Sequence, residues 1–479
     1  MADGFSLIQF SIGGVAVAVV SLWAAGHALL TRDNPNSALG WVGVCLLFPP
    51  FGAVLYFFLG VNRVQARARR LDRESSYGLG AHRPGPDSTI GDYRSLVAPA
   101  RLGLAAAGDR LGPWSIQPDN QVVLFETGDA AFEAMLAAID AAESFVYLTT
   151  YIFKSDELGN QFIDALADAV RRGVDVRVLI DGVGAFYGWP QSRPIAGLDA
   201  ANVPVRLFLP PRLWPPAFRL NLRNHRKMLV IDGKRAFTGG MNIDNAHRFH
   251  GGHGISDSHF KLVGPVVGQI ETVFLEDWAF VTDQWDPPSA PALASAGTIA
   301  CRAFENGPAR DPGRLSSLIQ CAVANAAERV IIASPYFLPD AALMGALEAA
   351  ALRGVDVRVV LPSVSNLAYV DWASRHSIGP LLNRGVQVFL RPAPFAHTKL
   401  LMVDSDYAMV GSPNMDPRSL RLNFEFAVEI YDASSVSSID DYLERNLAIS
   451  TPYTLADHRA RGVLGRLRDG CCWLASPYL

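Results

Sequence analysis

The sequence predicts an α/β protein made of two copies of one α-β-α unit, with mixed, mostly parallel sheets, behind an N-terminal anchor of two transmembrane helices. Three observations carry that reading. The word RGVDVRVLID from Arg172 returns as RGVDVRVVLP from Arg353, one motif closes each copy with identical spacing, and two apolar runs open the chain. Bulk composition agrees: half of the 479 residues are hydrophobic and 18% are charged, more apolar than a usual soluble enzyme. The formal net charge of −4 gives no support to a general nucleic-acid binder. Cys45, Cys301, Cys321, Cys471 and Cys472 form no C-x-x-C pair and no zinc spacing, so neither a disulfide framework nor a structural metal is expected.

From Phe5 to Leu30 the one side chain costly in lipid is His27, and the run exceeds the roughly 20 apolar residues that cross a hydrocarbon core. A second run, Ala38 to Gly60, is interrupted by Pro49-Pro50; it reads as a kinked span or a re-entrant hairpin. No Lys or Arg precedes the first run and a second follows at once, which argues against a cleaved signal peptide. Arg63, Arg67, Arg69, Arg70 and Arg73 follow the second run, whereas the connector between the runs offers Arg32 offset by Asp33. The positive-inside rule then puts the rest of the chain on the cytoplasmic side of a multi-pass cell-membrane protein.

Four segments are expected: a membrane anchor over 1–62, an Arg-rich linker over 63–118, and catalytic units over 119–295 and 296–479. In the first unit, strands are expected at Val122–Phe125, Phe145–Leu148 and Val174–Ile180, with helices at Asp129–Ala142 and Gln161–Arg172. The second unit repeats that order, with helices at Leu315–Ala327 and Ala341–Arg353 and strands at Val330–Ala333 and Val355–Leu361. Tyr151-Ile152-Phe153 and Tyr336-Phe337-Leu338 hold matching places. Alternating strands and helices in a duplicated chain imply a helix-covered sheet.

Each copy ends in the same constellation. His225-Arg226-Lys227 is followed after four residues by Asp232 and after six more by Gly239-Gly240-Met241-Asn242; His397-Thr398-Lys399, Asp404 and Gly411-Ser412-Pro413-Asn414 repeat those spacings. In extended chain, residues i and i+2 share a face, so each His and its Lys address one point. Glycine permits close backbone approach and Asn242 and Asn414 add amide donors. Two histidines, two lysines and two asparagines suit a phosphodiester: cations and amides stabilise phosphoryl oxygens, one imidazole attacks and the other manages protons. Asp232 and Asp404 travel with this catalytic set as motif members, yet five residues past each Lys they read as structural, off the reacting face.

By these residues the chain is identified as a member of the phospholipase D superfamily, whose HKD signature they match, and it resembles the bacterial cardiolipin synthases along its whole length. Asn34 to Trp41, Pro50-Phe51-Gly52 and Leu59 to Arg63 are similar to the membrane module of that family. Arg223 to Lys227, Gly239 to Ile243, Asn414 to Leu420, Leu422 to Glu425 and the ending Leu474 to Leu479 are similar to its catalytic part. Gly240 stands where the superfamily often has Ser, a form common among similar synthases. The resemblance implies transfer without metal or cofactor. One His attacks the phosphorus of phosphatidylglycerol to give a phosphatidyl-histidine. The other protonates departing glycerol and then activates a hydroxyl of a second phosphatidylglycerol. His225 is taken as nucleophile and His397 as acid/base, an assignment the sequence does not decide. The resemblance also makes Asp257 and Glu425 the acids that orient the imidazoles, with pairing across the halves as one arrangement.

Rival readings are a hydrolytic phospholipase D, a transferase with another acceptor, a membrane-anchored nuclease of the same superfamily, and a scaffold with dead motifs. Leu213 to Phe218 is a candidate lipid-dipping loop, with plain packing as its alternative, and Trp278 reads as core. Because the duplication supplies both half-sites, catalysis requires no dimer; the oligomeric state stays open.

Overall fold

The computed structural model describes residues 2–32, 35–60, 93–211, 222–248, 254–289, 295–307 and 313–476. The arginine run from Arg63 to Arg73, the loop Leu213 to Phe218 and the last three residues lie outside them. The chain divides into two compact units, Met1–Arg67 and Ala68–Leu479.

In the first unit a 30-residue helix, Ala2–Thr31, carries the first apolar run. At 1.5 Å per residue it is about 45 Å long, and over Gly13–Thr31 it is the one helix among the described residues long and apolar enough to cross a bilayer. The second run differs from a second spanning helix. Its helix Pro35–Leu47 has 13 residues, about 20 Å against a core of about 30 Å. Proline lacks the N–H a helix needs, so the chain turns at Pro49-Pro50 and restarts as Phe51–Leu55. The turn doubles back so closely that a Cβ on Gly52 would lie 2.0 Å from the Val44 carbonyl oxygen. His27 is satisfied inside this hairpin: its Nδ1 is 2.7 Å from the Tyr56 hydroxyl.

Among its described residues the second unit holds fifteen strands: β1 (Gln117–Phe125), β2 (Phe145–Thr150), β3 (Asp175–Asp181), β4 (Val205–Phe208), β5 (Met228–Ile231), β6 (Arg235–Gly239), β7 (His259–Val263), β8 (Ile299–Asn306), β9 (Arg329–Ala333), β10 (Asp356–Pro362), β11 (Gln387–Arg391), β12 (Leu400–Val403), β13 (Tyr407–Gly411), β14 (Glu425–Tyr431) and β15 (Thr451–Tyr453). They form one sheet in the order β15-β11-β10-β9-β12-β13-β14-β8-β1-β7-β6-β5-β2-β3-β4. Read outward from the β8–β1 junction, both sides run through the same seven positions, so the repeat is a seven-strand unit and the two copies share a continuous sheet.

The expectation of mostly parallel sheets is corrected here. β2/β3, β3/β4, β9/β10 and β10/β11 are parallel, whereas the other ten neighbouring pairs are antiparallel. Helical crossovers such as Glu157–Arg171, between β2 and β3, make parallel neighbours. β5 and β6, however, are joined through residues 232–234, with Ile231 opposite Arg235, and a turn that short can connect antiparallel strands alone.

Helices cover both faces, which is why β2 is buried at all six positions. Asp156 caps Glu157–Arg171 by accepting from Gly159 N, and Leu158, Phe162, Ile163, Leu166 and Ala169 turn inward at helical spacing. Part of the stretch expected as a linker is helical. Helix Leu102–Leu111 packs into the second half, where Leu104 and Ala105 join that half's core. Arg302 locks it there from β8, with Glu429 at 2.7 Å and Asp109 at 2.6 Å, and Arg101 reaches Asp404 and Asp406.

Candidate active site

Each HxK segment is extended chain running into its strand, one segment ahead of β5 and the other ahead of β12. Alternation sorts their side chains. The middle residues point into the scaffold: Arg226 pairs with buried Asp277 at 2.7 Å, and the Thr398 hydroxyl meets the Tyr442 hydroxyl at 2.8 Å. His225, Lys227, His397 and Lys399 point the other way, toward a common centre where each histidine feels the lysine charges of both halves.

Backbone contacts between the halves set the acids. His225 N donates to Phe424 O at 2.8 Å and His397 N donates to Ser256 O at 2.7 Å. The residue after each acceptor is an acid, and it meets the histidine of the other half. His225 Nδ1 is 3.0 Å from Glu425 Oε2, and His397 Nδ1 is 2.8 Å from Asp257 Oδ2. Both carboxylates are buried. A carboxylate on Nδ1 sets the tautomer that leaves Nε2 free for chemistry.

Gly240 and Ser412 occupy matched positions beside these acids. The Ser412 hydroxyl donates to Glu425 Oε2 at 2.5 Å, and Asn423 Nδ2 donates to Oε1 at 3.0 Å. At Gly240 a Cβ would lie 2.6 Å from both oxygens of Asp257, so the carboxylate itself fills the space a serine side chain would need.

Burial shapes the electrostatics. It pulls the Lys227 ammonium down to about 7 and Lys399 to about 8, against the attraction of Glu425 and Asp257. It lowers His225 to about 4 and His397 well below its usual range, with Lys399 adding to the latter. Burial alone would raise Glu425, yet His225, Lys227 and the Ser412 hydroxyl together hold it below the usual carboxylate range. Asp257 goes up, burial outweighing Lys399 and His247. The free site therefore keeps neutral imidazoles beside two lysines that an arriving anion would hold charged.

The asparagines are placed unequally. Asn242 Oδ1 accepts from Ile152 N at 3.2 Å, while Asn414 donates to the Ser419 hydroxyl at 3.4 Å and leaves Oδ1 buried without a partner. Asp232 and Asp404, carried with the catalytic set by motif membership, belong elsewhere. Asp232 accepts from the backbone N–H of Glu143, Ser144 and Phe145, and Asp404 from those of Ala327, Glu328 and Arg329. A four-residue strand, about 13 Å of chain, separates each from its lysine.

Sequence reasoning passed over four residues. Asp181, buried, takes Arg223 and the amides of Val183, Gly184 and Asn224, fixing the entry to the first HxK. Its signal was the mismatch with Pro362, an acid against a proline where the other two differences between the words exchange one aliphatic residue for another. Asp277 holds Arg226 and Asn224. The Tyr151 ring lies 5.1 Å from that of His225. His247 is buried with its Nδ1 3.6 Å from Asp257 Oδ2. Trp278 lies in the core, 7% exposed.

Among the described residues, His247, Asp257 and His397 could together hold a metal ion, with ligand atoms within 4.8 Å of one another. The Lys399 ammonium, 3.1 Å from both ring nitrogens of His397, would sit against any cation there, so the donor set suits proton transfer better.

A duplicated α/β sheet with two HxK strands converging on buried histidine–carboxylate pairs defines a phospholipase D-type phosphodiester enzyme. A family model described as cardiolipin synthase, PLD-like domain, matches residues 135–278 and 319–447, and one described as phospholipase D-nuclease N-terminal matches 19–60. Cardiolipin synthase A of Pseudomonas entomophila is 33% identical over 470 residues, 96% of each chain. The major cardiolipin synthase ClsA of Bacillus subtilis is 33% identical over 372 residues, 75% of this chain and 76% of its own. The crystal structure of a phosphatidylserine synthase from Haemophilus influenzae covers 78% of this chain and all of its own, at a TM-score of 0.63 and 14% identity, a likeness of fold. The chain belongs to the PLD-like cardiolipin synthase family.

Proposed function

We propose that the protein is a cardiolipin synthase. It transfers a phosphatidyl group from one phosphatidylglycerol to another through a phosphatidyl-histidine and releases glycerol. The observation that carries this reading is the crossed pair of buried dyads, His225–Glu425 and His397–Asp257, facing two lysines at one centre. His225 attacks phosphorus from Nε2 as a neutral ring, and its low affinity for protons leaves that nitrogen's lone pair available. His397 takes up a proton as the phosphodiester anion binds beside it and offsets the lysine charges that disfavour its imidazolium, and the P–O bond to glycerol breaks as it passes that proton on; His397 then takes a proton from the acceptor hydroxyl, which attacks phosphorus and frees His225. Lys227, Lys399, Asn242 and Asn414 hold the phosphoryl oxygens. Neither half has a complete site without the acid of the other, so the units 119–295 and 296–479 act together.

The apolar helix Ala2–Thr31 anchors the chain in the cell membrane, and the hairpin of the second run re-enters the bilayer or completes a second pass. The arginines from Arg63 to Arg73 favour the cytoplasmic side for the catalytic unit. Lipid is the substrate, and the net charge of −4 argues against nucleic acid.

Purified protein in detergent with labelled phosphatidylglycerol, without added metal or nucleotide, tests the reading by thin-layer chromatography beside His397→Ala. Cardiolipin and glycerol, absent with the variant, are the expected products. Phosphatidic acid alone would replace the synthase with a hydrolase, and undiminished turnover by the variant would sink the catalytic reading.

A further inference from the structure

The two histidine–carboxylate pairs have unequal supports. Glu425 takes two side-chain donors besides its histidine, the Ser412 hydroxyl and the Asn423 amide. Asp257 takes Ser258 N at 2.8 Å on Oδ1, and among the described residues no hydroxyl donates to it, because Gly240 stands where Ser412 does. The first half carries a different group toward the same carboxylate. Twenty-two residues past each motif histidine (247−225 and 419−397) lie His247 and Ser419. Their surroundings are built alike: Asp244 caps Asn245–His247 by accepting from Ala246 N, and Asp416 caps Pro417–Arg421 by accepting from Ser419 N. Ser419 serves Asn414, whereas His247 turns to Asp257.

His247 is 2% exposed, and its Nδ1 is buried without a hydrogen-bond partner. That nitrogen lies 3.6 Å from Asp257 Oδ2, the oxygen that holds His397, and the two rings meet edge-on at 5.4 Å. A separation of 3.6 Å is not yet a hydrogen bond. Catalytic hydrogen bonds are often long in a free enzyme and tighten when substrate is bound, and a buried nitrogen left unpaired favours that closure.

We propose that His247 is a positioning residue that replaces the missing hydroxyl, donating from Nδ1 to Asp257 Oδ2 once substrate is bound and so holding that carboxylate on His397. The assignment rests on the phosphatidyl-transfer reading and adds a third member to the acid/base arm, giving His247–Asp257–His397. Burial keeps His247 neutral, lowering it to about 3, so it acts as a fixed donor. The charged and titratable groups around the arm include Asp244 and Lys399 beside His247, Lys399, Lys227, His259 and Tyr442 beside Asp257, and Lys399, Lys227 and His225 beside His397. Removing a donor from Asp257 makes the carboxylate more basic, which favours the His397 imidazolium and moves its limb of the pH profile upward.

The test is the pH dependence of cardiolipin formation by full-length His247→Phe and His247→Asn in detergent, beside His397→Ala. Phe keeps the ring and loses the donor; the Asn amide can donate from about where Nδ1 stood. His247→Phe should lower kcat about tenfold, leave KM near wild type and move the His397 limb upward by about half a pH unit. His247→Asn should restore both. Wild-type kcat and limb in both variants, with His397→Ala dead, would overturn the inference and leave the parent reading standing. Equal losses in both variants, with a lowered Tm and an unmoved limb, would also overturn it, since that is the signature of packing.

Discussion

Lys227 and Lys399 are where burial works against binding, because an ammonium held at about 7 or about 8 is losing its charge in the pH range where the enzyme must grip an anion. In the free enzyme, raising pH through that interval deprotonates them; with a phosphodiester bound, the anion restores their affinity for protons. The alkaline limb of kcat/KM, which reports free enzyme, should therefore fall between about 7 and about 8. The limb of kcat should lie at higher pH. Initial rates over phosphatidylglycerol concentration at each pH separate the two, and coincident limbs would mean that the lysines do not contact the phosphoryl oxygens. The shared face of His225 and Lys227 could be read from extended-chain alternation alone. The depression of the lysines could not, since it comes from the burial that folding imposes on them against the pull of the neighbouring acids.

At the scale of elements, the motif aspartates explain why a residue so regularly spaced from the HxK need not touch substrate. Asp232 and Asp404 have φ of 54° and 50°, the left-handed region that Asp tolerates better than most residues. Each opens the hairpin that makes β5/β6 or β12/β13 antiparallel. Each carboxylate also gathers three amides from the segment entering β2 or β9, and so ties the hairpin to the parallel part of its sheet. The Asp232-Gly233 pair was a hairpin signal in the sequence, and reading only the repeated helix–strand words hid it. Asp232→Ala leaves three amides without acceptors and should cost roughly 2–4 kcal/mol of stability, measured by denaturant unfolding, while turnover per folded molecule stays near wild type. A variant that folds as well as wild type yet is dead would return Asp232 to the chemistry. The helix Leu102–Leu111 was less legible: its Ala- and Gly-rich sequence has a weak apolar stripe, and what holds it is Arg302, almost two hundred residues away. A Cβ on Gly108 would lie 1.6 Å from that guanidinium, a constraint no local pattern announces.

Across the whole catalytic unit, the duplication does more than supply two copies of a motif. Each histidine takes its acid from the other half, so the repeat could be counted from the sequence, while the crossing depends on the backbone contacts of Asn224 with Phe424 and of Ser256 with Ala396. The same twofold logic reaches the mouth of the site. The segments after β3 and β10 present exposed apolar side chains, Phe186, Tyr187 and Trp189 from one half and Val364 and Tyr369 from the other. Tyr187 packs on Tyr151 at 5.9 Å, and Tyr151 on His225 at 5.1 Å. A continuous aromatic path thus leads from an exposed rim to a reacting histidine, and aromatic side chains with one wet edge favour the lipid–water interface. If the rim admits lipid from a bilayer, Trp189→Ser loses part of one aromatic's burial, roughly 1.5 kcal/mol or about tenfold. That loss should appear in kcat/KM for long-chain phosphatidylglycerol in vesicles and be absent with a water-soluble short-chain phosphatidylglycerol, whose acyl groups need no bilayer to leave. Equal losses on both substrates would make Trp189 a support of the site itself, and no loss on either would mean that lipid enters by another face.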